Sequence, residues 1–204
     1  MATAPEIQAH LKKDTQLAPL IEQFPFPVFD PHRQVFSSLL SSIISQQLSV
    51  KAAATIHGRF LELFPELEPT ADRLMQLSIE DLRTVGLSRQ KAGYVHNVAE
   101  FFVEENLMTE TYEDWTDEEI IKKLVQIKGV GKWTVEMVLM FTLQRPDILP
   151  VDDLGIQQAF EKLYKLDLSQ KKRLLHQQMQ AIAAAWAPYR TYASIYLWQF
   201  KDLD

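Results

Sequence analysis

The stretch Leu124–Met137, LVQIKGVGKWTVEM, decides the fold, and Pro150-Val151-Asp152-Asp153 follows it. The first part reads as a helix, a Gly-x-Gly turn and a second helix. Gly129 and Gly131 allow positive φ and close backbone approach at the turn. Leu124, Ile127 and Val130 supply apolar positions that pack the first helix and the turn, and Val135, Val138, Leu139 and Phe141 do the same on the second. The second helix therefore begins near Lys132 or Trp133, with its first N–H groups aimed at whatever approaches the turn. A helix start of this kind favours anions, and a DNA phosphate suits it. Taken alone, the glycine pair is equally consistent with an ordinary helical hairpin.

Working outward, the chain reads as nearly all helix. It has only 6 glycines in 204 residues, and few segments alternate with period two. Helices are expected over residues 5–13 and 16–23, followed by the proline-broken connection FPFPVFDPHR (24–33). A long helix over 35–45 ends at the polar break Gln46-Gln47-Leu48-Ser49, and Ser49 caps the next, about 50–64. A short helix is expected from Thr70 or Ala71 to Gln76, Ser78 and Ser88 open further helices, and Gly86 stops the one that Ser78 opens. Thr116 opens TDEEIIKKLVQI, whose acidic first turn suits the helix dipole. The second hairpin helix is expected to reach Gln144. Asp152 or Asp153 starts a helix to about Tyr164, Ser169 caps one over 170–185, and Pro188 precedes the last, about 189–200.

Composition narrows the function. Hydrophobic residues make up 47% and charged residues 24%, as in an ordinary globular protein. No run approaches the roughly 20 apolar residues of a membrane helix, so no membrane partner is expected. The N-terminus has no apolar signal core, which points to an intracellular chain. With no cysteine, the protein has no disulfide, no cysteine nucleophile and no iron–sulfur cluster. A net charge of −6 argues against holding DNA by a broad basic surface. Backbone N–H groups still hold phosphates without adding lysines. Arg89, Lys91, Lys128 and Lys132 are candidates for a local basic cluster. The five histidines show no metal-ligand spacing.

Five blocks together resemble one family: the hairpin, IISQQLSVKAAATI (43–56), GLSRQKAGYV (86–95), LPVDDLGIQQAF (149–160) and WAPYRTYASIYLW (186–198). In this order they resemble the helix-hairpin-helix DNA glycosylases, in particular the AlkA-like 3-methyladenine branch. The resemblance covers roughly residues 28–200. It implies an all-α, two-lobed helical fold with a DNA and base cleft between the lobes. Residues 35–140 would form the lobe containing the hairpin (124–140), and 1–34 with 141–204 the lobe carrying the catalytic aspartate. It also implies excision of alkylated bases from double-stranded DNA in base excision repair. The expected setting is the cytoplasm (nucleoid-associated) of a bacterium or the nucleus of a eukaryote, and the expected state a monomer. Two other functions stay open: a hairpin module that only binds DNA, and a glycosylase for other damaged or mismatched bases.

The resemblance also implies roles for individual residues. The second aspartate of the pair is catalytic in the family, which is Asp153 here; Asp152 would be a cap or structural acceptor. Read without the family, either acid is simply a helix cap. Trp133 and Trp198 would wall one base pocket, with Met137 beside them and Tyr189 a further candidate. Family members that also nick the backbone carry lysine where this chain has Trp133, which implies a monofunctional enzyme. Gln47 would wedge into the base stack, with Leu48 as the alternative. Gly129, Gly131, Lys132 and Thr134 would meet DNA at the hairpin. The carbonyls of Val125, Ile127 and Gly129 would cradle a Na+ or K+ ion, and no other cofactor is implied.

Overall fold

The computed structural model describes residues 2–201 and 203. Among them all regular structure is helical: twelve α-helices with three short 3-10 turns. None of the helices is long and apolar enough to cross a membrane. The chain divides into two compact units, residues 30–138 and residues 1–29 with 139–204.

The unit 30–138 contains α3 (Val35–Ser45), α4 (Val50–Leu61), α5 (Ala71–Gln76), α6 (Ile79–Thr84), α7 (Arg89–Glu104) and α8 (Asp117–Leu124), together with most of α9 (Lys132–Phe141). Local chemistry sets most of the starts. Ser49, Thr70, Ser78, Ser88 and Thr116 each accept a backbone N–H from the first turn of the helix they precede. Ser78 with Asp81 and Thr116 with Glu119 form full capping boxes, in which the acid returns a bond to the cap N–H. The core gathers Phe36, Leu39 and Ile43 of α3, Phe60 of α4, Leu74 of α5 and Val98 and Phe102 of α7, all at most 2% exposed.

The other unit joins α1 (Ala4–Leu11) and α2 (Ala18–Gln23) to α10 (Leu154–Tyr164), α11 (Lys172–Ala183) and α12 (Arg190–Lys201). Asp14 fastens the two ends of the chain. Its Oδ2 accepts the Tyr164 hydroxyl and the Trp186 indole N–H, both at 2.8 Å, and its Oδ1 accepts the N–H groups of Gln16 and Leu17. Trp186, Tyr196 and Phe160 are fully buried in this core.

Several helix boundaries differ from the sequence reading: α1 ends at Leu11, α2 starts at Ala18, α8 ends at Leu124 and α11 ends at Ala183, and three further differences have a visible cause. Ser169 does not cap α11. Its N–H bonds to Asp167 Oδ1, so the segment makes a local turn, and the helix starts at Lys172 without a side-chain cap. Helix α9 stops at Phe141 rather than Gln144, because Gln144 is left-handed and the Arg145 N–H returns to the Leu139 carbonyl. Helix α4 ends at Leu61, where i→i+3 bonds into Phe60 and Leu61 tighten the chain.

Candidate active site and family comparison

In the unit 30–138 the hairpin runs from α8 through Val125–Gly131 into α9. Gly129 has φ +106°, and the Val130 N–H bonds to the Ile127 carbonyl at 3.0 Å to close the turn. The Lys128 carbonyl accepts Asn97 Nδ2 from α7 at 3.0 Å. The two glycines differ in purpose. A Cβ on Gly129 would fall 2.3 Å from Cγ of Tyr94, so the turn packs directly on that ring. Gly131 lacks a left-handed φ and has no heavy atom within 4 Å of a built Cβ. The expectation that both glycines serve the turn is therefore corrected: the turn requires Gly129, and Gly131 leaves open space at the start of α9.

Side chains on the first turns of α9 divide by face. Trp133 is 39% exposed, while Thr134 is 2% and Glu136 3% exposed. Lys132 reaches over to Glu136 Oε1 at 3.0 Å. The Thr134 side chain is buried. Met137 is half-buried. Three residues of the candidate basic cluster have partners in the structure. Arg89 pairs with Glu80 at 2.6 Å, Lys132 with Glu136, and Lys91 donates to backbone carbonyls at 2.8 and 2.6 Å. Each of these three cations has a partner within its own unit, and the Arg89 and Lys132 side chains remain more than half exposed. The loop after α3 holds Gln47 at φ +56°, and Gln47 and Leu48 are both exposed.

In the other unit the segment before α10 is tied to α12. Asp147 takes a two-pronged bond from Arg190, Nε at 2.7 Å and Nη2 at 2.6 Å. The buried Thr191 hydroxyl donates to the Arg145 carbonyl and accepts the Ile148 N–H. Val151 is buried and its carbonyl receives Gln157 Nε2. These bonds deliver Asp153 to the start of α10, half-buried. Its Oδ1 accepts the Ile156 N–H and the Trp198 indole N–H, each at 2.8 Å. Asp153 is thus the cap. Asp152 is not; it pairs with Lys172 of α11 at 2.5 Å, with His176 Nε2 3.7 Å away.

Trp198 stacks on Phe141 with centroids 5.8 Å apart and planes at 27°. Phe141 meets Phe29, Phe29 meets Tyr192, and Tyr192 meets Tyr189. A chain of ring contacts therefore links Tyr189 to the tryptophan on Asp153, with His10 edge-on to Tyr189 at 5.3 Å. Phe29, Phe141, Asp147 and Arg190 were missed as site-building residues. Phe29 lies in a proline-rich connection, and Asp147 and Arg190 are 43 positions apart, so no local pattern marks them. Among the described residues no group of three or more His, Asp or Glu side chains is gathered to hold a metal.

The sequence pattern of the HhH-GPD superfamily of base excision DNA repair proteins matches residues 40–185, which takes in the hairpin, Asp153 and most of α3–α11. The chain belongs to this superfamily. YfjP of Bacillus subtilis (strain 168) is 36% identical over 171 residues, covering 81% of this chain and 58% of that protein, so this chain spans less than two thirds of its length. DNA-3-methyladenine glycosylase 1 of Schizosaccharomyces pombe is 34% identical over 173 residues, 84% of this chain and 74% of that protein. Among solved structures, the Schizosaccharomyces pombe 3-methyladenine DNA glycosylase in complex with abasic DNA superposes with a TM-score of 0.81 at 30% identity and covers 97% of each chain. The all-helical architecture is that of an HhH-GPD protein.

Proposed function

We infer that the protein is a monofunctional DNA glycosylase that flips alkylated bases, of the 3-methyladenine type, out of double-stranded DNA and hydrolyses the N-glycosidic bond to leave an abasic site. The observation that carries this reading is the Asp153 carboxylate, fixed at a helix start by the Ile156 N–H and the Trp198 indole. Breaking the bond builds positive charge on the sugar. A fixed carboxylate stabilises that charge, and more strongly where water is excluded. The same group orients or deprotonates the attacking water. An alkylated purine is already cationic and leaves well, so the reaction needs no strong general acid. The partner is duplex DNA bearing damaged bases, and the chain works as a monomer.

The hairpin supplies affinity through backbone N–H groups at the start of α9, beside the open space at Gly131. It is also suited to a Na+ or K+ ion. Val125 caps the C-terminus of α8, where carbonyls lack intrahelical partners, and Ile127 and Gly129 sit in the turn that follows. Their carbonyls would hold the ion, which supplies positive charge toward a phosphate.

The test is base release from duplexes that each carry one alkylated purine, followed by alkaline cleavage to reveal abasic sites. Release without strand nicking is the expected result. Trp133 stands where a nicking enzyme needs an amine, so borohydride should trap no covalent protein–DNA adduct; a trapped adduct would refute the monofunctional reading.

Trp133 and Trp198 offer π-faces that favour cationic bases by roughly 0.5–2 kcal/mol. Trp133→Ala and Trp198→Ala should each reduce excision more than affinity for an abasic-site duplex, in which no base needs recognition. Trp198→Phe keeps the ring but drops the bond to Asp153, and should fall between wild type and Trp198→Ala. Equal losses on both ligands would mark the tryptophans as supports of the fold alone.

A further inference from the structure

The loop between α3 and α4 turns without a glycine. Helix α3 ends at Ser45 and its cap residue is Gln46, with no glycine after it. Gln47 instead takes the left-handed conformation at φ +56°, which is unfavourable for a residue with a Cβ. From within, the Gln46 N–H bonds to the Ser42 carbonyl and the Leu48 N–H to the Ser45 carbonyl, each at 3.2 Å. The remaining support comes from a distant element. Lys91, in the first turn of α7, sends its ammonium to the Ile44 carbonyl at 2.8 Å and the Gln46 carbonyl at 2.6 Å. Both oxygens lie where a helix end leaves carbonyls unsatisfied, and a cation there also meets the negative end of the dipole. Ser88 anchors the lysine's own turn by accepting the Lys91 N–H. Burial pushes the Lys91 ammonium below its usual range, in keeping with a charge withdrawn from water into this junction.

We propose that Lys91 is a positioning residue for base extrusion: it holds the Gln46–Ser49 loop so that Gln47 and Leu48 are presented to fill the gap left by an extruded base. This rests on the glycosylase reading above. Lys91 touches neither the base nor the sugar. It acts on the loop through two carbonyls, and the loop acts on the duplex.

The experiment compares excision of 7-methylguanine from a fully paired duplex with excision from the same strand carrying the lesion in an unpaired bubble, where no stack has to be refilled. Lys91→Met keeps the aliphatic stem and removes all three donors. It should slow single-turnover excision from the duplex by about 10- to 100-fold, the scale of losing charge-assisted bonds. Excision from the bubble should change by less than about threefold, within the range of an ordinary surface change. Lys91→Arg, which retains donors at that reach, should recover most of the duplex rate. On a background of Gln47→Ala with Leu48→Ala, Lys91→Met should add little, since both act through one loop. If Lys91→Met does not fold, Lys91→Gln carries the same comparison. Equal losses on duplex and bubble, or full additivity with the loop variant, overturns the proposal while leaving the glycosylase reading intact. A wild-type chain that releases no alkylated base from either substrate overturns both.

Discussion

Asp153→Asn should bind lesion-bearing duplex with near wild-type affinity and lose on the order of 10²–10³ in single-turnover excision, the effect of removing one electrostatic group from a transition state. The substitution isolates the charge. Asparagine caps helices as well as aspartate does, so the Ile156 N–H keeps an acceptor and α10 keeps its start. The amide oxygen also continues to receive the Trp198 indole. Asp153→Ala would be a poorer test, because it removes the cap as well, at about 1 kcal/mol. Asp152→Asn is the control. It loses the ion pair with Lys172, whose side chain is 73% exposed, and exposed pairs contribute about 1 kcal/mol or less. Its excision rate should stay near wild type. Near wild-type excision by Asp153→Asn would remove the catalytic assignment, and a loss confined to Asp152→Asn would move it one residue.

The two hairpin glycines should give opposite phenotypes when each is changed to alanine. Gly129→Ala should lower stability by more than about 2 kcal/mol, since it combines a strained φ with a forced displacement. The added methyl meets ring and Cβ atoms of Tyr94 between 2.3 and 2.7 Å away. That ring is not a flexible end, and its hydroxyl already accepts a bond from Gln90. Gly131→Ala meets nothing in the protein, so its stability should stay within about 1 kcal/mol of wild type. Its affinity for damaged and undamaged duplex alike should fall by roughly tenfold, because the methyl stands where a phosphate approaches the N–H groups of α9. Thermal unfolding and fluorescence anisotropy on both variants decide the matter. A folded Gly131→Ala protein with unchanged affinity for both duplexes would remove the hairpin from the DNA interface.

Much of the fold was legible from single residues because the information is local. A Ser or Thr at a helix start satisfies N–H groups two or three positions on, so Ser49, Ser78, Ser88 and Thr116 marked the starts of α4, α6, α7 and α8, and the structure places the cap of α5 at Thr70 of the two positions left open. Helix α3 was readable to its last residue because an apolar face meets the polar run Gln46-Gln47. The same logic failed at Ser169, where Asp167 captures the N–H first, and at the end of α9, where a left-handed Gln144 has no signature in its residue type.

The sequence by itself determined the helical class, the hairpin, the absence of any cysteine chemistry and the aspartate pair to which the chemistry is assigned. Each is carried by residue identity or by spacing within a few turns. Only the tertiary structure decided which aspartate is the cap and which one faces Lys172, because that depends on where α11 and α12 pass. It also decided which glycine the turn requires, since the ring of Tyr94 lies 35 positions away in sequence and against the backbone in space. And it turned three of four candidate phosphate contacts, Arg89, Lys91 and Lys132, toward partners within their own unit. A charge in a sequence has no direction. Its partner is set by whatever the fold brings within about 3 Å.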